Sequence, residues 1–119
     1  MTYVYLYDIH SLVMPEPENI IKDCHGFDWD KANTSKNWLK HGIHPFESEE
    51  IFFNQPLVIA ADVKHSQGEL RFFALGITDQ GRLLFVCFTI RRHLIRVISS
   101  RDMSKKESEV YKIYEKSDS

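Results

Sequence analysis

The chain has 119 residues, of which 43% are hydrophobic and 27% charged, so it can bury one core and is not a disordered chain that lacks apolar groups. Its formal net charge is −2, no apolar run approaches the roughly 20 residues that span a bilayer, and no signal peptide is recognisable, so we expect one cytoplasmic domain. The two cysteines, Cys24 in a polar stretch and Cys87 in an apolar run, indicate neither a disulfide framework nor a zinc site, and Cys87 is expected in the core.

The chain is expected to divide into an N-terminal extension at residues 1–26 and a main domain at residues 27–116. The first residues of the extension, Thr2 to Tyr7, are rich in strand formers and predict an edge strand. The two prolines in Met14–Pro17 remove backbone donors, so a loop is expected there.

The main domain is expected to open with a helix. Residues 27–30 alternate in polarity like a short strand, and the carboxylate of Asp30 can cap a helix that begins at Lys31. Glycine accepts the left-handed conformation of a C-terminal cap, so this helix should end at Gly42.

A second short helix is expected at about residues 46–53, and the chain then changes to strand-length apolar runs. Four strands are predicted, at residues 57–61, 70–78, 82–90 and 94–100. The connections at 79–81 and 91–93 are short enough to join antiparallel neighbours, which predicts a meander. Ser104 and Glu107 have the spacing of a capping box, so a C-terminal helix should follow to about Lys116. The predicted fold class is therefore α+β.

Charge is distributed unevenly along the chain. Residues 1–60 carry four Lys or Arg against nine Asp or Glu, whereas residues 61–119 carry eleven against eight. Between Arg91 and Lys106 six residues are basic and only Asp102 is acidic, which would concentrate positive potential on one part of the surface. An anionic partner is one interpretation of this run, and a solvated charged face is the other.

The second half of the chain also holds side chains suited to proton transfer and to stabilising a phosphate. These are His65, Glu69, Arg71, Arg82, Arg91, Arg96 and Arg101. Alternate strand residues share a face, so a meander can gather several of them, although arginines on exposed sheet faces commonly serve solubility alone. Near the end of the first helix, Lys40 and His41 are further candidates, but both also suit the negative end of the helix dipole.

Metal and nucleotide chemistry are not indicated. No carboxylate and histidine grouping has the spacing of a metal site, so we expect a metal-independent protein with no cofactor. There is also no glycine-rich phosphate loop and no Gly-x-Ser-x-Gly nucleophile elbow.

The order and spacing of the polar and aromatic residues resemble a known family. In the first half, the matching residues are Phe27-Asp28-Trp29-Asp30, Asn37, Lys40-His41-Gly42, Phe46-Glu47 and Ile51-Phe52. In the second half, they are Asp62, His65-Ser66, Glu69, Arg71, Gly76, Gly81-Arg82, Thr89, Arg91, Arg96, Ile98-Ser99-Ser100-Arg101, Glu107 and Tyr111. Over about residues 27–115, this pattern resembles the BrnT family of RelE-like toxins.

The resemblance implies a RelE-like ribonuclease toxin that cleaves RNA without a metal and binds a cognate BrnA-like antitoxin. The complex of the two would repress its own operon, so that operator DNA is contacted only through the antitoxin complex. The implied catalytic residues are His65, Glu69, Arg91, Arg101 and His41, and the implied RNA-binding residues are Lys40, Arg71, Arg82, Arg96 and Lys105. Among them, Arg91 and Arg101 are expected on the phosphate, with His65 or His41 as the proton shuttle and Glu69 as its orienting partner or a second base.

Three departures from the family pattern bear on this interpretation. Asn33 stands where the family usually has a lysine, so any RNA contact of that lysine would be lost, and Ser100 replaces an alanine. Residues 1–26 lie outside the pattern and could be an extra strand, an antitoxin-like plug or a translation start placed too far upstream. A non-catalytic module that only pairs with an antitoxin and shares in operon repression is therefore the alternative to an enzyme.

Overall fold

The computed structural model describes residues 3–6 and 21–118, which form one five-stranded sheet and its helices. The strands are β1 (Tyr3–Leu6), β2 (Leu57–Ala61), β3 (Arg71–Ile77), β4 (Leu83–Arg91) and β5 (Leu94–Asp102). They lie in the order β1-β2-β3-β4-β5, and β2 to β5 form an antiparallel meander as predicted. β1 is an edge strand, as expected, and pairs with β2 in the parallel direction. The loop expected at Met14–Pro17 lies outside the described residues.

The helices whose bounds lie within the described residues are α1 (Lys31–His41), α2 (Pro45–Glu50) and α3 (Lys105–Asp118), with one-turn 3-10 helices at Ile51–Phe53 and Val63–His65. The single helix expected at 46–53 is therefore an α-helix followed by a 3-10 turn. The prediction of a short strand at residues 27–30 is wrong, because that segment forms only one isolated β-bridge, between Phe27 and Ile95. No described helix is both long and apolar enough to cross a bilayer.

Both predicted helix caps of α1 are present. Asp30 Oδ1 accepts hydrogen bonds from the backbone N–H groups of Ala32 (3.0 Å) and Asn33 (3.1 Å), which otherwise have no partner inside the helix. Gly42 follows the helix with φ of 63°, a conformation that glycine adopts without the strain of a side chain.

One face of the sheet forms the core. Burial alternates along β3, where Phe72 and Ala74 are buried between partly exposed neighbours, and Val86 and Phe88 of β4 lie beside them on the same face. The buried segment around Ile51 packs against this face. Cys87 is also buried, as expected.

The opposite face of the sheet carries polar and basic side chains and is partly covered by α3. The cap predicted for α3 is present, since Ser104 Oγ accepts the N–H of Glu107 and Glu107 Oε1 accepts the N–H of Ser104. Tyr111 on α3 is fully buried, and its hydroxyl donates to the carbonyl of Pro56 (2.7 Å). The helix is thereby held close to the start of β2.

Candidate nucleic-acid interface

Three arginines from neighbouring strands converge at one end of the open sheet face. The strand register places Arg71 of β3 and Arg96 of β5 on either side of Thr89 in β4, so both project from the same face. Arg91 lies two residues beyond Thr89 and therefore on that face as well. We call the space between them the arginine hollow, of about 250 Å³. It is lined by Ala32, Asn33, Glu69, Arg71, Arg91, Arg96, Val97 and Ile98.

Glu69 lies at the rim of the hollow and holds Arg91 in a two-pronged ion pair. Arg91 Nε donates to Glu69 Oε2 (2.8 Å) and its Nη2 donates to Oε1 (3.2 Å). The hydrogen bonds from Arg91 lower the pKa of Glu69, and those to Glu69 raise the pKa of Arg91. Both groups are therefore charged at neutral pH, and the pair fixes the guanidinium at the mouth of the hollow.

Arg96 is less exposed than Arg91, with 15% of its side chain accessible against 50% for Arg91. Its Nη2 donates to Asp30 (2.8 Å), and its Nη1 lies 3.5 Å from Asp28. The pKa of Asp30 is lowered, first by a hydrogen bond from the backbone of Asn33 and then by Arg96. The same carboxylate thus caps α1 and orients Arg96 on β5.

Arg71 forms no ion pair within 4 Å among the described residues, unlike Arg91 and Arg96, although its charge helps to lower the pKa of Glu69. Its backbone, in contrast, is well fixed, because its N–H donates to Ser66 Oγ (3.0 Å) and its carbonyl accepts from the N–H of Asp62 (2.8 Å). The backbone of Arg71 is therefore held in place, while its guanidinium group is available to bind an anion that enters the hollow.

His65 lies on the turn that is bonded to the backbone of Arg71. Its Nδ1 is 3.0 Å and 3.1 Å from the two carboxylate oxygens of Asp62, whose side chain is only 6% exposed. Asp62 Oδ1 also accepts the backbone N–H of His65. A carboxylate that holds one ring nitrogen leaves the other directed elsewhere, and the imidazole is 59% exposed. The arrangement suits a proton-transfer group.

Other predicted site residues lie at the far end of the sheet. Arg82 precedes β4 and donates to Asp102 (2.7 Å) and to the carbonyls of His41 and Gly42. The hydrogen bonds that Arg82 donates to Asp102 are the main cause of the lowered pKa of Asp102, and the same bonds raise the pKa of Arg82. Since β3 runs six residues from this end to Arg71, the strand spacing separates the two ends by about 20 Å. His41 and Arg82 therefore do not join the arginine hollow.

Arg101 is also separated from the hollow. It is paired across the strands with Phe85, six residues before Arg91 on β4, which corresponds to about 20 Å along the strand. The Arg101 guanidinium lies 4.1 Å from the centre of the Phe85 ring and forms a two-pronged ion pair with Glu107 (2.8 Å and 2.9 Å). One phosphate cannot contact both Arg91 and Arg101, and these two residues occupy different parts of the same face. Lys40 on α1 and Lys105 at the start of α3 are exposed.

Asn33, which stands where the family usually has a lysine, has a structural role. Asn33 is 5% exposed, and its Nδ2 donates to the carbonyls of Asp28 (3.1 Å) and Val97 (2.9 Å), while its Oδ1 accepts the N–H of Asp30 (2.7 Å). Asn33 therefore joins the start of α1 to β5 beneath the arginine hollow.

Sequence reasoning did not select the residues that orient the site. Asp62 and Ser66 matched the family pattern, yet neither was chosen as a site residue. The partners of Arg96, Asp28 and Asp30, also lie within the matched segment, but only Asp30 was given a role, as the helix cap. The three-residue spacing from Asp62 to His65 was the available signal, because it brings both side chains to one face of a helical turn. No group of three or more His, Cys, Asp or Glu side chains that could hold a metal ion occurs in the described ranges.

The fold and this site define a small α+β protein whose open sheet face gathers guanidinium groups around an anion-sized hollow, with a carboxylate-held imidazole on the turn that is bonded to the backbone of Arg71. A family model described as "Ribonuclease toxin, BrnT, of type II toxin-antitoxin system" matches residues 29–107, more than half of the chain. The chain therefore belongs to the BrnT family of ribonuclease toxins, and the resemblance found in the sequence is confirmed. Membership of a type II toxin–antitoxin system implies an RNA substrate and an antitoxin partner. No curated protein matches the chain.

Proposed function

We propose that the chain is a RelE-like endoribonuclease that cleaves RNA without a metal ion, by attack of a 2′-hydroxyl on the adjacent phosphate, and that the arginine hollow holds this phosphate. The observation that carries the proposal is the convergence of Arg71, Arg91 and Arg96 from three neighbouring strands. Guanidinium groups placed around a phosphate stabilise the charge that develops on its oxygens during displacement. A BrnA-like antitoxin would neutralise the enzyme, and operator DNA would be bound only by the complex of the two.

The proposed reaction requires one proton to be removed and one to be supplied. The 2′-oxygen forms a bond to phosphorus as its proton passes to a base, and the bond from phosphorus to the 5′-oxygen breaks as an acid protonates that oxygen. The products are a 2′,3′-cyclic phosphate and a free 5′-hydroxyl. His65 is assigned to proton transfer because it is the candidate histidine at this end of the sheet that a buried carboxylate orients.

Glu69 is assigned as the second proton-transfer group. While Arg91 is bound to it, the lowered pKa of this carboxyl makes it a poor proton acceptor. A phosphate in the hollow competes for Arg91, and a carboxylate that loses its guanidinium partner regains basicity. Substrate binding would therefore activate the base at the position where the 2′-hydroxyl arrives.

The test is cleavage of a defined single-stranded RNA by purified protein in excess EDTA. Cleavage should persist and leave 2′,3′-cyclic phosphate ends, and Arg71→Gln should lower kcat/KM by about 100-fold or more, as removal of one oxyanion donor does. Lys112→Gln is the matched control, since it removes one exposed charge from α3 and should have no effect. Cleavage that stops in EDTA, or an Arg71→Gln variant as active as the control, would contradict the proposal.

One observation favours a second function. Four of the six arginines, namely Arg82, Arg91, Arg96 and Arg101, are already paired with carboxylates, as in purely structural ion pairs. A module that only binds an antitoxin and takes part in operon repression would need no free guanidinium. Expression of the chain without an antitoxin separates the two: growth arrest that Arg71→Gln abolishes supports the enzyme, and harmless expression of folded protein supports the module.

A further inference from the structure

The turn between β4 and β5 has an unusual backbone for its residues. Arg91 pairs with Leu94, so the turn consists of Arg92 and His93 alone, with φ of 53° and 63°. Two-residue hairpins of this kind favour Asn-Gly, because both positions require a positive φ that residues with bulkier side chains adopt at a cost. The chain therefore keeps two strained residues where less strained residues would make the same turn.

The strained turn borders a second hollow that adjoins the arginine hollow. This tip hollow, of about 300 Å³, is lined by Asp28, Asp30, Arg91, Arg92, Leu94 and Arg96. It shares Arg91 and Arg96 with the arginine hollow, so the two form one continuous surface. A single-stranded nucleic acid that lies in one can continue into the other.

Arg92 is the uncommitted cation of the tip hollow. Arg91 and Arg96 are held by Glu69 and by Asp28 and Asp30, whereas Arg92 is exposed and has no carboxylate partner among the described residues. The two arginines without such partners, Arg71 and Arg92, thus lie one in each hollow.

We propose that the tip hollow is a second phosphate subsite, in which Arg92 binds a phosphate of the same RNA strand next to the one in the arginine hollow. The inference rests on the proposed function, because it assumes that the arginine hollow holds RNA. His93 is a positioning residue: its carbonyl accepts the N–H of His25 (3.0 Å) and its ring stacks on that of His25 at 6.4 Å, which ties the turn to the segment before Phe27. In this proposal, the function of the strained turn is to direct the Arg92 side chain toward the RNA strand.

The test is the double variant Arg92→Asn, His93→Gly, which installs the preferred turn residues. The variant should be more stable than the wild type in thermal denaturation, because the strain is relieved. Binding is measured by fluorescence anisotropy with RNA that carries 2′-deoxy sugars and cannot be cleaved by the proposed route. The wild type should bind a tetranucleotide more tightly than a dinucleotide with a single phosphate, and the double variant should lose about tenfold on the tetranucleotide only.

Single variants separate the causes. His93→Gly should gain stability from the relieved turn but lose part of the tetranucleotide binding, because the ring stack on His25 that positions the turn is removed while the Arg92 charge remains. Arg92→Lys should also retain part of the binding, since the charge remains. Arg71→Gln should weaken binding of both RNAs, so its failure to do so would count against the arginine hollow and not against the tip. Lys112→Gln is again the charge-matched control.

Two results would overturn the inference. The first is a double variant that keeps the wild-type preference for the longer RNA. The second is a double variant that binds RNA normally but no longer binds the antitoxin, which would make the tip a protein contact.

Discussion

Single polar side chains in this protein are fixed by several bonds at once, and this determines what each can do. Asn33 makes three hydrogen bonds while buried, so the position that was expected to report a lost RNA contact instead joins a helix to a strand. Asp62 accepts from both the ring and the backbone of His65. Substitutions at such residues change the orientation of a neighbour more than they change local charge.

Asp62→Asn should lower kcat for RNA cleavage by about tenfold to 100-fold and leave KM almost unchanged. An amide fits the same space but no longer fixes the protonated Nδ1 of His65, so proton transfer suffers and substrate binding does not. Single-turnover cleavage measures the effect, with the exposed Asp23→Asn as the control. Because both residues would act in one step, His65→Ala combined with Asp62→Asn should be no slower than His65→Ala alone. Additive losses would show that Asp62 and His65 act separately.

Gly76→Ala should destabilise the fold by about 1–3 kcal/mol, the usual cost of overpacking. A methyl group at Gly76 would lie 2.6 Å from the Cβ of Ile51, an atom too close to the backbone to move aside cheaply. Gly26→Ala is the matched control, because its methyl group would meet only the flexible end of Leu94 at 3.3 Å. Urea denaturation should rank Gly76→Ala well below Gly26→Ala, and equal stability of the two variants would contradict the close packing.

Among the elements, those with local signals were predicted well. The caps at Asp30 and Ser104 and the end of α1 at Gly42 were read from neighbouring residues, and the structure confirms all three. The predicted strands agree with the observed strands to within one or two residues. The strand prediction at residues 27–30 failed because alternating polarity alone does not supply a partner strand. The residues that this segment contacts on β5 lie more than 60 positions further along the chain.

Glu107→Gln should lower the stability of the protein at pH 7 by about 1 kcal/mol, which is typical of a lost helix cap. Glu107 closes the capping box of α3 and binds Arg101, and the Arg101 hydrogen bonds are the main cause of its lowered pKa. A carboxyl with a lowered pKa in the folded state contributes stability above its unfolded value, about pH 4.3, and loses it as the pH falls through the folded value.

The difference between Glu107→Gln and the wild type should therefore be constant from pH 7 to about pH 5 and shrink below about pH 4. Urea denaturation at a series of pH values measures it. Glu109→Gln, an exposed change on the same helix, should leave stability nearly unchanged. If both variants behave alike, the effect belongs to the charge of the helix and not to the cap.

For the whole molecule, the sequence indicated the types of side chain in the site but not which of them meet. That depends on the register of distant strands, and the register shift between Cys87 and Phe88 alters which residues of β4 and β5 face each other. Arg91 and Arg101 were expected on one phosphate, and the hairpin places them at its two ends. Arg71 and Arg96 lie on either side of Thr89 because of the pairing between β3, β4 and β5, which no local sequence pattern reveals. The family resemblance, in contrast, depended on order along the chain and needed no register.

The ion pairs of the arginines also bear on how strongly the protein would attract polyanions from a distance. With four arginines already matched to carboxylates and a formal net charge of −2, the molecule exerts little long-range attraction on nucleic acids in general. With the proposed function, an RNA strand would be selected after contact, by how well its phosphates replace the carboxylates bound to these arginines, and not during its approach. The proposed RNA-binding surface would therefore associate with RNA more slowly but discriminate better between RNA strands.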